Sequence, residues 1–123
     1  MGTSKKSGFI KSLGHALRGC AMLFGTERNA KIHLAAFILV VAAGFYFGID
    51  RAEWMMILLA SGAVISAEAM NTAIEGTIDI AHPHYGEKAG RIKDIAAGAV
   101  LIVTLVAIAI GVMVFLPRIK ALF

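Results

Sequence analysis

The chain has 123 residues, of which 59% are hydrophobic and 16% charged, with a formal net charge of +4. Soluble domains are typically about 45–50% apolar and about 25% charged, so the composition indicates one membrane-embedded domain over residues 1–123. No nucleic-acid-binding pattern is visible, and the cluster of basic residues favours anionic headgroups or phosphates as partners. The single cysteine, Cys20, excludes a disulfide within the chain, and we expect it to be a small buried residue.

An amphipathic pattern comes first along the chain. Apolar residues recur at helical spacing over about 8–25, whereas Lys11, His15 and Arg18 fall on the other side. We expect a surface helix lying in the membrane interface, the alternative being a short cytosolic helix packed on the bundle. No cleavable signal peptide is expected, because the first apolar run starts only at Ile32.

Three long apolar segments follow, over residues 32–49, 54–80 and 95–116. About 20 apolar residues suffice to cross a bilayer as a helix, so the sequence predicts an all-α membrane protein with three transmembrane helices. The first link, 50–53, is short and predicts a tight antiparallel pair. The second link, roughly 81–94, contains Pro83, Gly86 and Gly90 and is predicted to be a loop.

The distribution of Lys and Arg predicts the orientation. Nine of these residues lie before the first span or in the second link, and three lie on the opposite side. Because positive residues are retained on the cytoplasmic side, we expect the N-terminus and the second link to be cytoplasmic, in the inner or plasma membrane.

The second span carries polar side chains on one face. At about 100° per residue, Glu68, Asn71, Glu75 and Asp79 fall within about 80° of arc and along about 16 Å of helix. Inserting a carboxylate near the bilayer core costs roughly 2.5–3.5 kcal/mol, whereas each aliphatic residue contributes only about 0.3–0.6 kcal/mol of favourable insertion free energy. We therefore interpret this stripe as functional, running from the lipid leaflet into cytosolic water.

Other polar residues are expected to converge on the stripe. Glu27 and Glu75, from different helices, are suited to hold Mg²⁺, which prefers oxygen ligands. Lys93 and Asp94 stand at the predicted start of the third span, where a helix N-terminus and a lysine both favour a phosphate. The predicted site comprises Glu27, Glu68, Asn71, Glu75, Asp79, Lys93 and Asp94.

Structural alternatives exist for these residues. Glu68 could pair with a basic residue for assembly, and Asn71 could form a hydrogen bond between helices. His33, at the start of a span, is expected to be a headgroup or capping contact. No Walker A loop or Rossmann fingerprint is present, so a nucleotide site would not be of a common soluble type.

Four segments identify a family resemblance: residues 26–29, the pair Glu53-Trp54, EAMNTAIEGTID over 68–79 and KDIAAGAV over 93–100. Over about residues 9–117 the chain resembles the small bacterial integral-membrane diacylglycerol kinases, and it looks most like their undecaprenol kinase branch. One departure is His15, which stands where the Gram-negative enzymes have a tyrosine.

The resemblance implies a homotrimer with active sites shared between subunits at the cytoplasmic face, and transfer of the ATP γ-phosphoryl group to a lipid alcohol. It implies that Glu68 is the general base and that Glu27 and Glu75 are Mg²⁺ ligands. Asn29 and Glu68 are candidate lipid contacts. The residues implied to bind ATP are Glu27, Asn71, Glu75, Asp79, Tyr85, Lys93 and Asp94.

The expected reaction converts undecaprenol to undecaprenyl phosphate. One alternative is the same chemistry on diacylglycerol, which would yield phosphatidic acid. A distant alternative is a small helical bundle that conducts protons or cations along the carboxylate stripe, and another is a non-catalytic assembly subunit. Lys93 and Asp94 favour the kinase, because neither non-enzymatic function needs a phosphate ligand.

Overall fold

The computed structural model of the protein describes residues 4–84 and 86–123. Over these residues the fold is all-α, with helices α1 (Ser4–Thr26), α2 (Arg28–Phe47), α3 (Arg51–Ala81) and α4 (Glu87–Lys120). Helices α2, α3 and α4 are each long and apolar enough to cross a membrane, which confirms the three predicted transmembrane helices.

Helix α1 leaves most of its apolar side chains uncovered in the protomer, although Leu23 near its end is buried. Phe9, Ile10 and Leu17 are all largely exposed. Cys20 is also exposed, so its expected burial is wrong, because it lines an open groove between α1 and α3 instead of packing in the bundle. An uncovered apolar face on a helix is suited to lie in a membrane interface, and that position of α1 stays a prediction.

The first link is a tight turn that is shorter than predicted. Helix α2 ends at Phe47, and Gly48 follows with φ 62°, a left-handed conformation that glycine adopts without steric cost. Helix α3 begins at Arg51. Its N-cap Asp50 accepts a hydrogen bond from the Glu53 backbone N–H at 2.9 Å, and the Glu53 carboxylate accepts one from the Asp50 N–H at 3.1 Å. This capping box makes most of the predicted 50–53 link helical.

The second link is also shorter than predicted. Helix α3 ends at Ala81 and α4 begins at Glu87, with Gly86 as its N-cap, so only residues 82–86 connect them. The expected loop over 81–94 is wrong for its second half. The polar residues from 87 to 94 form helix, because they continue α4 beyond the apolar part of the chain rather than interrupt it.

Helices α3 and α4 are longer than a bilayer crossing requires. Their 31 and 34 residues correspond to about 46 and 51 Å at 1.5 Å per residue. The hydrocarbon core is about 30 Å thick, so each helix extends well beyond it. Because the joined ends of α3 and α4 carry the polar residues, we expect those ends to stand outside the hydrocarbon.

An ion pair connects α3 and α4 at the ends that lie away from the 82–86 link. Arg118, near the end of α4, donates to both carboxylate oxygens of Glu53 at 2.5 and 2.6 Å, and to the Val114 carbonyl at 2.9 Å. Beside it lies a small core of Ile49, Ile57 and Val114. This bidentate contact fixes the register of α4 against α3. These two helices are the most extensively packed pair.

We expect Arg118→Ala to lower the midpoint of thermal unfolding in detergent micelles, because it leaves the Glu53 carboxylate without its charged partner. The matched control is Arg91→Ala, which removes an exposed pair with Glu87 at 3.4 Å. Exposed pairs contribute little, so the control should leave the midpoint nearly unchanged. Equal effects of the two substitutions would show that the Glu53–Arg118 contact does not set the helix register.

Candidate active site

The inner face of α3 changes from apolar to polar along its length. Its buried residues are Ile57, Val64, Glu68 and Asn71, which recur at helical spacings of seven, four and three. Glu68 is only 3% exposed and Asn71 only 7%. The carboxylate and the carboxamide therefore continue the face that packs in the apolar part of the bundle.

The length of α3 places these side chains at different depths. With Arg51 at one boundary of the hydrocarbon core, Glu68 lies about 25 Å along the helix and Asp79 about 42 Å along it. Since the hydrocarbon core is about 30 Å thick, Glu68 falls inside it and Asp79 beyond it. We therefore expect the two carboxylates to lie on one helix face but in different solvents.

Asn71 connects the buried and the outer part of the stripe. Its Nδ2 donates a hydrogen bond to Glu75 Oε1 at 3.2 Å, which fixes the orientation of the amide. Its Oδ1 is buried and has no hydrogen-bond partner among the described residues. Such an oxygen costs stability when it is left unpaired, so its presence beside Glu75 suggests a ligand at this point.

Lys93 of α4 contacts Asp79 at the outer end of the stripe. Its Nζ lies 2.5 Å from Asp79 Oδ1, and it also interacts electrostatically with Glu75. The expectation that Lys93 and Asp94 stand at a helix N-terminus is wrong, because α4 begins at Glu87 and both residues lie in its second turn. Any attraction of Lys93 for a phosphate therefore comes from its own ammonium group.

Glu27, at the start of α2, adds a carboxylate from outside α3 to the site. It is the N-cap of α2, but its side chain forms no capping hydrogen bond, so the carboxylate is available for another role. Glu27 and Glu75 both interact electrostatically with Glu68. Glu27, Glu68 and Glu75, three of the five predicted carboxylates, are thus close enough to interact within one protomer.

His33 joins this group, although the sequence suggested only a headgroup or capping contact. It interacts electrostatically with Glu68 and lines a cavity together with Phe37 and Val40 of α2. A signal was available, since His33 recurs with Ala36, Phe37 and Val40 at the spacing of one helix face.

The remaining predicted residues are less closely tied to this group. Asn29 is exposed in the first turn of α2, and Asp94 is exposed on α4 next to Lys93. His15 is exposed on α1. Tyr85 lies outside the described residues.

The donor atoms fit a hard cation. Within the part of the chain that the structure describes, no three His, Cys, Asp or Glu side chains are arranged as a complete metal site. Mg²⁺ needs fewer protein ligands, because it keeps several waters and takes further oxygens from substrate phosphates. Two carboxylates and the unpartnered Asn71 Oδ1 would supply such a partial set.

Comparison with known proteins identifies the family of this chain. Residues 14–115 match the prokaryotic diacylglycerol kinase family. The chain is 41% identical over 110 residues to the undecaprenol kinase of Bacillus subtilis strain 168, covering 89% of each protein. It is 32% identical over 114 residues to the diacylglycerol kinase of a Synechocystis species, covering 92% of this chain and 65% of that one. The diacylglycerol kinase of Escherichia coli K12 is 28% identical over 99 residues, covering 80% and 81%.

The family match and the named relatives identify a membrane-embedded phosphotransferase. The chain belongs to the prokaryotic diacylglycerol kinase family, and it is a multi-pass membrane lipid kinase. The predicted resemblance is confirmed, and the non-enzymatic alternatives are set aside.

We expect Glu68→Met to raise the midpoint of thermal unfolding. A carboxylate costs roughly 2.5–3.5 kcal/mol at the bilayer centre and less near the boundary, where Glu68 lies, and methionine of similar length removes that smaller cost. Differential scanning fluorimetry in micelles would measure the change, with Glu87→Met at an exposed position as the control. A lower midpoint for Glu68→Met would mean that the carboxylate is held by stabilising contacts rather than tolerated for function.

Proposed function

We propose that this protein transfers the γ-phosphoryl group of ATP to undecaprenol, giving undecaprenyl phosphate, with Mg²⁺ as the required cation. The observation that carries the proposal is Glu68, a buried carboxylate at the inner end of a polar stripe that ends at Lys93. Support for undecaprenol comes from the 41% identity to an undecaprenol kinase over 89% of both chains.

The lipid alcohol enters from the bilayer, and its hydroxyl approaches Glu68. A carboxylate withdrawn from water is a stronger proton acceptor, so Glu68 takes the hydroxyl proton as the alcohol attacks. A bond forms between the lipid oxygen and the γ-phosphorus, and the bond from that phosphorus to the bridging oxygen of ADP breaks. The proton remains on Glu68 and is released to water after the products leave.

The outer part of the stripe positions the nucleotide. Glu27 and Glu75 would hold Mg²⁺, with Asn71 orienting Glu75 through its 3.2 Å hydrogen bond. When bound, this cation neutralises charge on the phosphates and aligns them for transfer. Lys93 leaves Asp79 to contact a phosphate. Asp79 and Asp94 are proposed to contact the rest of the nucleotide, as the family resemblance implies. Tyr85 is proposed for the same nucleotide site on the resemblance alone.

The proposal also covers the membrane orientation and the oligomeric state of the enzyme. The N-terminus and the site face the cytoplasm, because nine of the twelve Lys and Arg residues lie on that side. The protomers assemble as a homotrimer, and the large exposed apolar surfaces of α2, α3 and α4 are suited to meet both lipid and neighbouring copies. Asn29, exposed beside Glu27, is proposed to contact the lipid headgroup region.

Diacylglycerol is the second candidate substrate, since a diacylglycerol kinase is 32% identical over 92% of this chain. Purified protein in mixed micelles with ATP and Mg²⁺ would be assayed side by side with undecaprenol and diacylglycerol. The proposal requires the higher kcat/KM for undecaprenol. Preference for diacylglycerol would overturn the substrate, and no ATP-dependent product from either lipid would overturn the mechanism.

Glu68→Gln should abolish turnover while leaving ATP binding nearly intact. Removal of a general base lowers kcat about 10²–10⁴-fold, and an amide of the same shape keeps the packing. Isothermal titration with a non-hydrolysable ATP analogue checks the binding, and Glu87→Gln serves as the exposed control. Retained turnover in Glu68→Gln would exclude Glu68 as the base.

Glu75→Gln should instead raise the Mg²⁺ concentration needed for half-maximal activity. Loss of a carboxylate ligand or its support weakens metal sites about 10–100-fold. Activity would be titrated with Mg²⁺ at saturating ATP and lipid, again beside Glu87→Gln. An unchanged metal titration would argue against a ligand role for Glu75.

A further inference from the structure

His82 continues the polar stripe of α3 beyond its last carboxylate. Glu68, Glu75 and His82 follow one another at intervals of seven residues, and each interval turns the helix by only about −20° at 100° per residue. The His82 backbone N–H donates to the Ile78 carbonyl at 2.7 Å, so the helical path continues to this residue. The Cα of His82 therefore lies on the same face as the two carboxylates, at its outer end.

A polar pocket lies where α3 and α4 are joined. Asp79 and His82 line it at the end of α3, and Gly86, Gly90 and Lys93 line it from the start of α4, at helical spacings of four and three. The Lys93 ammonium group contacts the Asp79 carboxylate at 2.5 Å. The two glycines present only backbone to the pocket, which allows the close approach of a ligand on that side.

The imidazole of His82 packs directly on Gly86. A Cβ added at Gly86 would lie 2.5 Å from His82 Nε2 and 3.1 Å from His82 Cδ2, closer than a methyl group can approach. Gly86 is the N-cap of α4, and its carbonyl accepts a hydrogen bond from the Gly90 N–H at 2.9 Å. The exposed imidazole therefore lines the pocket from a position against a hydrogen-bonded part of the backbone.

This position suits the base of a nucleotide whose phosphates lie at Glu75 and Lys93. Seven residues separate Glu75 from His82, which corresponds to about 10 Å of helix. The terminal phosphates of an extended nucleotide and its base are separated by a distance of the same order. Aromatic side chains, histidine among them, stack on nucleobases, because every base has a π-face.

We propose that His82 is a further nucleotide-binding residue, whose imidazole stacks on the base of ATP beyond the Asp79–Lys93 pair. The inference rests on the proposed kinase function and adds a contact for the base to the proposed contacts for the phosphates and the cation. The base takes no part in the transfer, so the stacking is equally strong in the ground state and in the transition state. Its loss should therefore raise the KM for ATP and leave kcat unchanged.

The test compares His82→Ala with Ile80→Ala, which truncates an exposed side chain two positions earlier on α3. We expect the KM for ATP to rise about tenfold in His82→Ala alone, because loss of one stacked base weakens binding by about this factor. The kcat and the KM for undecaprenol should stay within about twofold of the unsubstituted enzyme. His82→Phe keeps a flat ring and should restore most of the affinity for ATP.

Inorganic tripolyphosphate distinguishes a contact with the base from a contact with the phosphates, because it has the phosphates without the base. As a competitive inhibitor against ATP, it should have the same inhibition constant in His82→Ala and in the unsubstituted enzyme. An inhibition constant that rises together with the KM for ATP would overturn the stacking role, since His82 would then act on the phosphates. An unchanged KM for ATP in His82→Ala would also overturn it and leave the imidazole as a packing contact of the link.

Gly86→Ala is an independent test that keeps the imidazole, in case His82→Ala fails to fold. Because Nε2 lies at the tip of a side chain, the added methyl group should displace the ring rather than the backbone. The KM for ATP should rise as in His82→Ala, and the double variant should show no further rise. An unchanged KM in Gly86→Ala, or additive effects in the double variant, would overturn the placement of the ring over Gly86.

These outcomes are separate from failure of the proposed function. If the unsubstituted enzyme forms no ATP-dependent product from a lipid alcohol, the kinase mechanism fails and the stacking role falls with it. If the unsubstituted enzyme is active and only the comparisons at His82 and Gly86 fail, the kinase proposal stands and the stacking role alone is rejected.

Discussion

The rest of this structure depends on holding one carboxylate, Glu68, within the hydrocarbon region of a membrane. That burial costs free energy, which the apolar faces of α2, α3 and α4 have to offset through packing. Under the proposed function, Glu68 accepts a proton at the depth where a lipid alcohol keeps its hydroxyl. Asn71, buried one turn further along with an unpartnered oxygen, has a similar cost.

Two long helices connect the buried Glu68 with the polar groups at the outer end of the stripe. Because α3 and α4 extend past the hydrocarbon core, the polar stripe can begin at Glu68 and end at the Asp79–Lys93 pair. The register of these helices is set at their far ends by the Glu53–Arg118 contact. Contacts at opposite ends of α3 and α4 thus place Lys93 opposite the stripe.

Much of this arrangement could be predicted from the sequence, because hydropathy and helical spacing are local properties. The three spans and the shared face of Glu68 and Asn71 follow from them. The capping box of Asp50 and Glu53 is also a local pattern, and it explains why the first link is shorter than predicted. The pairing of Arg118 with Glu53, 65 positions apart, and the approach of His33 to Glu68 depend on tertiary packing, which no local pattern encodes.

The central claim is that α3 passes from lipid to water between Glu68 and Asp79. Spin labels at the exposed positions 66 and 80, in a Cys20→Ser background, test it by power-saturation electron paramagnetic resonance in bilayers. The account predicts that dissolved oxygen dominates relaxation at 66 and that a water-soluble nickel chelate dominates at 80. Equal accessibility profiles at the two positions would contradict it, because Glu68 and Asp79 would then share one solvent.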